Sequence, residues 1–380
     1  MDRRHFIIMG LATLLSRPVA TATTGKARDP MRLYIGTQGS GPGQGIWTAH
    51  FDSASGTLSD LHLAAEVERP TWLVGDPNRP LLYAVSETGN DGQTQGGVLG
   101  FAIYPASGAL TPLGRVDSGG SGATHLSLDP ASRTLFVANY GSGQVAAIAL
   151  KPDRSPDAVQ SLQTHAGSGP HRRQKGPHAH AAVIDPSGRY LLSPDLGADR
   201  LFLSRFDSKT RALTALAPIV FPPGSGPRHL VFSPDGRFAF LNTELTGEVY
   251  AYRWDARRGV LTQTARVALD APDFAGTRSA SELAVSADGR FLYVANRGAN
   301  LLHLFAIDRR SGALTEQQRI DCGGRGPWSF GLDPTGRWLI VANQASGNLS
   351  IFAVDRATGK LSLTANSLAV DKPVAIAFFP

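Results

Sequence analysis

Ser286-Ala287-Asp288-Gly289, then Arg290, then Phe291-Leu292-Tyr293-Val294-Ala295-Asn296, is a turn that runs into a short apolar strand ending on a polar residue. Gly289 suits the positive φ of a tight turn, and the aromatic-rich run after Arg290 is of strand length. The same pair recurs along the chain. It stands at Asp76-Pro77-Asn78 with Leu81-Leu82-Tyr83-Ala84-Val85, at Asp129-Pro130 with Leu135-Phe136-Val137-Ala138-Asn139, and at Asp185-Pro186 with Tyr190-Leu191-Leu192. It returns at Ser233-Pro234-Asp235-Gly236 with Phe238-Ala239-Phe240 and at Asp333-Pro334-Thr335-Gly336 with Trp338-Leu339-Ile340-Val341-Ala342-Asn343. Successive turns lie 53, 56, 48, 53 and 47 residues apart. In each unit a short apolar strand precedes the turn. A Gly turn, a third strand, an Asp-x-x-x-Gly-x-Leu turn and an outer strand follow the second. A repeat of roughly fifty residues carrying four short strands predicts an all-β fold, a β-propeller.

The two ends complete the count. Residues 32–70 supply three strands, Leu33 to Gly36, Ile46 to Phe51 and His62 to Val67, and lack an innermost one. The C-terminus supplies one unmatched strand, Pro373 to Phe379. Placing the last strand beside the first three gives a seventh four-stranded blade and removes an open edge. The expected domain is therefore a single seven-bladed β-propeller over residues 32–380, closed by N- and C-terminal strands. The inner strands Leu126-Ser127-Leu128, Ala181-Ala182-Val183-Ile184, Leu230-Val231-Phe232 and Leu283-Ala284-Val285 are short and apolar, as strands buried between blades should be.

Residues 1–22 read differently. Arg3-Arg4 is followed by Phe6, an apolar run to Leu15 too short to span a bilayer as a mature helix, and the small-residue site Ala20-Thr21-Ala22. This is the pattern of a twin-arginine export signal, with residues 23–31 as a linker and the periplasm as destination. Cleavage would remove Arg3, Arg4 and Arg17 against Asp2, taking the net charge from +6 to +4 and leaving no stable membrane association. Apolar residues make up 42% and charged residues 18%, with 42 Gly and 25 Pro, so core and turns are both well supplied. No Lys/Arg block reads as a nucleic-acid arm. The lone Cys322 forms no internal disulfide and reads as structural.

Polar residues gather where loops lead into the inner strands. The densest is Gly167-Ser168-Gly169-Pro170-His171-Arg172-Arg173-Gln174-Lys175-Gly176-Pro177-His178-Ala179-His180. The others are Glu68-Arg69-Pro70, Ala123-Thr124-His125, Gly226-Pro227-Arg228-His229, Arg278 to Glu282, and Arg325-Gly326-Pro327-Trp328. On a propeller these loops share one mouth of the central channel, so His125, His178, His180, Arg228, His229 and Glu282 are expected to converge. The ends of the second strands add Glu87, Asn139-Tyr140, Asp195, Glu244 and Asn296-Arg297. Asn139, Asn296 and Asn343 belong to the repeat and read as turn-forming. Arg228, Glu244, His178, His180 and Arg297 break the repeat on one rim, which points to function. His178-x-His180 is at best two ligands of a metal site, and there is no G-x-S-x-G elbow, P-loop or dinucleotide fingerprint. No cofactor or metal is expected.

From about Tyr34 to the C-terminus the chain resembles the bacterial seven-bladed propeller lactonases of the 6-phosphogluconolactonase/cycloisomerase type. The motifs that carry the likeness are His165-x-Gly167-Ser168-Gly169-Pro170, Arg173-Gln174, Pro177-His178-Ala179-His180 and Asp195-Leu196-Gly197-x-Asp199. Gly226-Pro227-Arg228-His229, Glu244-Leu245, Asp288 to Tyr293 and Asn296-Arg297-Gly298 complete the set. Related fungal carboxymuconate-cyclising propellers have a proposed site of one His, two Arg and one Glu. The resemblance places these at His180, Arg228, Glu244 and Arg297, and His125, Arg173, His178, Asp195, His229 and Trp328, read from the entry loops and strand ends, are expected around the substrate. Two departures stand out. Thr243 replaces the Asn that often precedes Glu-Leu, and Trp328 replaces the Arg that often follows Pro327. Exchanging a cation for an aromatic favours a flatter, less charged substrate than a phosphosugar.

The resemblance implies a hydrolase whose partner is a small-molecule lactone or sugar acid, and a monomer is expected. An exported member is expected to take an unphosphorylated aldonolactone, such as a gluconolactone. Glu244 or His180 would activate water, and Arg228 and Arg297 would hold the oxyanion and the product carboxylate. A muconolactone-type cycloisomerase and a non-catalytic binding propeller remain open, because both use anion clamps and the fold alone does not imply catalysis.

Overall fold

A computed structural model describes residues 31–379, so the export-signal reading on residues 1–22 and the linker reading on residues 23–30 lie outside the described residues, and Met31, read as the linker's end, opens a strand instead. The strands form seven antiparallel sheets. The first blade is built from both ends of the chain: Pro373–Phe379 innermost, then Met31–Thr37, Gly45–Asp52 and Thr57–Glu66. The closing pair is in register over Tyr34–Ala377 and Ile35–Ile376. Six further blades follow in chain order, with second strands at Leu81–Ser86, Thr134–Asn139, Tyr190–Asp195, Phe238–Thr243, Phe291–Asn296 and Trp338–Asn343. The expected seven-bladed propeller with a shared closing blade is the observed fold.

The repeated turn works through its first residue. Asp333 Oδ1 accepts from the backbone N–H of Arg337 and Trp338, both at 2.8 Å, and Asp185 Oδ1 accepts from Arg189 (2.8 Å) and Tyr190 (2.9 Å). Where Ser replaces Asp, its hydroxyl does the same at 3.0 Å, Ser233 for Phe238 and Ser286 for Phe291. A short side-chain acceptor is what the turn requires, which is why Asp and Ser alternate there. Gly188, Gly236, Gly289 and Gly336 close these turns at φ of 67°, 66°, 72° and 65°, a left-handed conformation that suits glycine.

Burial follows the seven junctions. A separate apolar cluster fills each gap between neighbouring blades. One joins Leu33, Ile35 and Phe51 to Ile340 and Ile351, where the last blade meets the first. The repeat asparagines act as latches inside these gaps. Asn139 Nδ2 donates to Ser118 O (3.1 Å), and Asn296 Nδ2 donates to Asp270 Oδ1 (2.7 Å).

The fourth blade is irregular. Its inner strand was expected over Ala181–Ile184, but only Val183–Ile184 is strand, with an isolated bridge from Ala179 to Asp195. Pro194 in the facing strand has no N–H to donate, and Ser193 Oγ covers the Ala181 carbonyl instead at 2.6 Å. Its outer strand is split into Leu213–Ala215 and Ile219–Val220, with Pro218 at the break. This loosened blade follows the long loop that carries Arg173.

Candidate active site

Each second strand delivers the residue after its last to the same mouth of the channel: Gln38, Glu87, Tyr140, Leu196, Glu244, Arg297 and Gln344. Gln38, Glu87, Tyr140, Glu244 and Arg297 line a cavity of about 670 Å³. Gln344 donates to Gln38 at 2.9 Å, and Leu196 is buried apart from the cavity wall. The loops and inner strands add Thr124, Arg173, His180, Ser279 and Trp328. The inner strands of the third, fifth, sixth and seventh blades slip register at this end, between Ala123 and His125, Pro227 and Leu230, Ala280 and Leu283, and Pro327 and Ser329. Such bulges re-aim side chains, here at the channel mouth.

Glu244 is the hub. Arg173 Nη1 reaches its Oε1 at 2.5 Å, while Arg228 Nε (3.1 Å) and Arg297 Nη2 (3.0 Å) both reach Oε2. His180 Nε2 faces Oε2 across 3.8 Å, beyond hydrogen-bond reach. Arg228 is 1% exposed, among the largest fully buried side chains, and also donates to the Ser281 carbonyl. Burial alone would raise the Glu244 carboxyl. The fields of Arg297, Arg173 and Arg228 outweigh it and hold the group well below the usual carboxylate range. Burial, with Arg297 as neighbour, draws the Arg228 guanidinium down to about 10, still protonated at neutral pH. Three guanidinium charges against one carboxylate leave the cluster cationic.

His180 is pushed well below its ordinary value by burial and by Arg228, so the imidazole is neutral. Its Nδ1 has no protein partner among the described residues, and neither has Arg297 Nε. Trp328 stands under the Arg297 guanidinium at 4.4 Å, a cation–π contact. Glu87, also in the cavity lining, accepts from Asn90 Nδ2 at 2.6 Å and lies 3.6 Å from Arg69 Nη2.

The other residues singled out from the sequence lie behind this wall. Asp195 is fully buried, with Oδ2 2.8 Å from His165 Nδ1 and Oδ1 accepting from the N–H of His178 and Ala198, both at 2.8 Å. The His178 ring stacks on Tyr140 at 4.5 Å, and its Nδ1 donates to the Tyr140 carbonyl at 2.7 Å. His125, His229 and Glu282 line a second cavity of about 210 Å³ with Trp72. There His125 packs on Trp72 at 4.3 Å, and His229 Nδ1 lies 3.2 Å from Glu282 Oε1. Among the described residues no group of three or more His, Cys, Asp or Glu is arranged to hold a metal ion. Sequence reasoning passed over Gln38, Asn90 and Thr277, named Thr124 and Ser279 only as members of entry loops, and named Tyr140 only as a strand end. The place directly after each second strand is the signal that identifies Gln38 and Tyr140.

Residues 32–378 match the family model described as Lactonase, 7-bladed beta-propeller. The chain is 35% identical over 345 residues to a 6-phosphogluconolactonase of Bacillus subtilis, covering 91% of this chain and 97% of that protein. It is 30% identical over 303 residues to a 6-phosphogluconolactonase of Formosa agariphila, covering 77% and 84% respectively. Among solved structures, it is similar to the periplasmic gluconolactonase PpgL of Pseudomonas aeruginosa. The TM-score is 0.87 at 38% identity, over 92% of this chain and 99% of that one.

Proposed function

The chain belongs to the seven-bladed β-propeller lactonase family, and from that premise we propose that it is an exported lactone hydrolase whose substrate is an unphosphorylated aldonolactone such as glucono-1,5-lactone. The observation that carries the chemistry is the convergence of Arg173, Arg228 and Arg297 on Glu244 beside a neutral His180. A lactone carbonyl gains negative charge as water adds, and fixed guanidinium donors in a partly desolvated cleft stabilise that charge at no reorganisation cost. His180 Nε2 takes the proton from water, and Glu244, already ionised, steadies the imidazolium across the 3.8 Å gap. In this assignment Glu244 is a poor base because its arginine partners hold its charge. No covalent intermediate is needed.

Two features support a substrate without phosphate. Trp328 gives the sugar ring a flat apolar face beside Arg297. Glu87, in the same cavity lining and 3.6 Å from Arg69, offers a carboxylate oxygen to sugar hydroxyls, where a phosphate placed beside it would meet a like charge. The likeness to a periplasmic gluconolactonase and the paired arginines Arg3-Arg4 support action outside the cytoplasm. The test follows acid release by the purified protein at mildly acidic pH, where spontaneous hydrolysis is slow. Glucono-1,5-lactone, 6-phosphogluconolactone and a muconolactone are compared. Faster turnover of the plain lactone is expected. A preference for the phosphorylated lactone would overturn the substrate reading, and turnover of the muconolactone alone would overturn the hydrolase reading.

A further inference from the structure

Opening a lactone has a second half that the arginine cluster does not serve. Once water has added, the C1–O bond to the ring oxygen breaks. The departing oxygen is then an alkoxide and needs a proton. Tyr140 stands on the same cavity wall as Arg173, His180 and Glu244. Its hydroxyl accepts from Arg173 Nη2 at 2.9 Å, and no described residue accepts the phenolic hydrogen. The hydroxyl is therefore a donor with its hydrogen uncommitted. Its neighbour Arg173 bridges it to Glu244, so the phenol and the oxyanion cluster share one guanidinium.

Resting on the lactonase reading, we propose that Tyr140 is the proton donor to the departing ring oxygen, held in place by Arg173 and by His178. Water oxygen bonds to C1 and gives its proton to His180. The oxyanion that forms is held by guanidinium groups. The C1–O bond then breaks, its electron pair goes to the ring oxygen, and that oxygen takes the Tyr140 proton. The phenolate left behind faces Arg173; the proton held by His180 returns through water to restore the phenol, and the product acid gives its own proton to bulk water and leaves as its carboxylate. Water and lactone are consumed, and one hydroxy acid is formed.

The surroundings fit the task. Burial raises the Tyr140 phenol above its ordinary value against the pull of Arg173, so it is protonated at neutral pH. The ring is fixed from behind rather than by the substrate. His178 stacks on it at 14° and bonds its carbonyl, and Asp195 holds the His178 backbone. Two residues singled out from the sequence thus act through Tyr140 as positioning residues.

The experiment compares Tyr140→Phe with the unaltered protein on glucono-1,5-lactone. The substitution keeps the stacked ring and removes only the hydroxyl. We expect kcat to fall about 100-fold, in the range of a lost general acid, with KM within about twofold and the melting temperature unchanged. On dihydrocoumarin, whose phenolate leaves without a proton, the same variant should lose less than about threefold. A loss carried by KM, an unchanged kcat, or equal losses in kcat on both lactones would overturn the proposal and leave Tyr140 a binding group. If dihydrocoumarin is not turned over, the kcat and KM split alone decides. An unaltered protein inert on glucono-1,5-lactone is a separate failure, that of the substrate reading. The Tyr140→Phe comparison is then made on 6-phosphogluconolactone, where the same split is expected.

Discussion

Glu244 and Glu282 are both buried, 3% and 5% exposed, and both sit in the middle of the ring, yet their surroundings drive them in opposite directions. Glu244 is met by three guanidinium groups and is held well below the ordinary range. Glu282 is met by His229, by Ser329 Oγ at 3.2 Å and by the Leu283 N–H at 3.0 Å. Burial pushes its carboxyl up to about 7, with Arg228 only partly opposing it. Depth does not separate the two groups. The number of cations within reach does, and it marks one cavity as built for anions and the other as packed polar interior.

The largest effect should come from breaking the hub. Glu244→Gln keeps the shape and removes the charge that three arginines share. We expect kcat/KM on glucono-1,5-lactone to fall about 10³-fold, because donors and base are displaced together. Stability at pH 7 should fall by about 3 kcal/mol, since Arg228 is left buried without its carboxylate. Initial rates and urea melts measure both. A variant as active as the unaltered protein would remove Glu244 from the site.

The comparison sharpens with pH. Glu244 is depressed in the fold, so its contribution to stability is present above the ordinary carboxylate value of 4.5 and is lost as pH falls through its lower folded value. Glu282 is raised, so its contribution is full below 4.5 and is lost as pH rises through about 7. The loss across that window is about 3 kcal/mol. Between pH 3 and 8, relative to the unaltered protein, Glu244→Gln should therefore carry a nearly constant deficit above about pH 5 that shrinks as pH falls below 4.5, while Glu282→Gln should gain relative stability as pH rises from 4.5 to 7. Urea midpoints for both variants across that range test the signs. Parallel slopes would break the comparison.

The contrast also shows what could be read from the chain in advance. The seven-blade count was legible because Asp/Ser-Pro-x-Gly and the strand after it depend on local chemistry: a short acceptor, a positive φ and an apolar run. His180, Arg228, Glu244 and Arg297 were legible as departures from that repeat, and the fold brings all four together. Gln38 was not, because it follows a second strand whose inner partner lies at the other end of the chain. Nor could spacing separate Glu244 from Glu282. Each stands near a blade's channel end, and only the three-dimensional convergence of Arg173, Arg228 and Arg297 tells them apart. The shortened inner strand of the fourth blade was hidden for a similar reason. Pro194, thirteen residues after Ala181, withholds the hydrogen bond that Ala181 lacks.

The smallest predicted effect concerns the two tryptophans that accompany the two glutamates. Trp328 lies against Arg297 in the anion cavity, and Trp72 lies against His125 in the inner one. If the inner cluster is packing and the outer one is binding, the two truncations should separate cleanly. Trp328→Ala removes the half-buried flat face proposed to meet the sugar ring, a contact of about 0.5–1 kcal/mol, so KM for glucono-1,5-lactone should rise roughly threefold to fivefold with kcat nearly unchanged and only a small fall in melting temperature. Trp72→Ala should lower the melting temperature while KM stays within about twofold, because a large ring is lost from between His125 and His229. Kinetics and thermal melts on the two variants decide it. A rise in KM for Trp72→Ala equal to that for Trp328→Ala would mean that the inner cavity reports on substrate too, and that the two glutamates belong to one site.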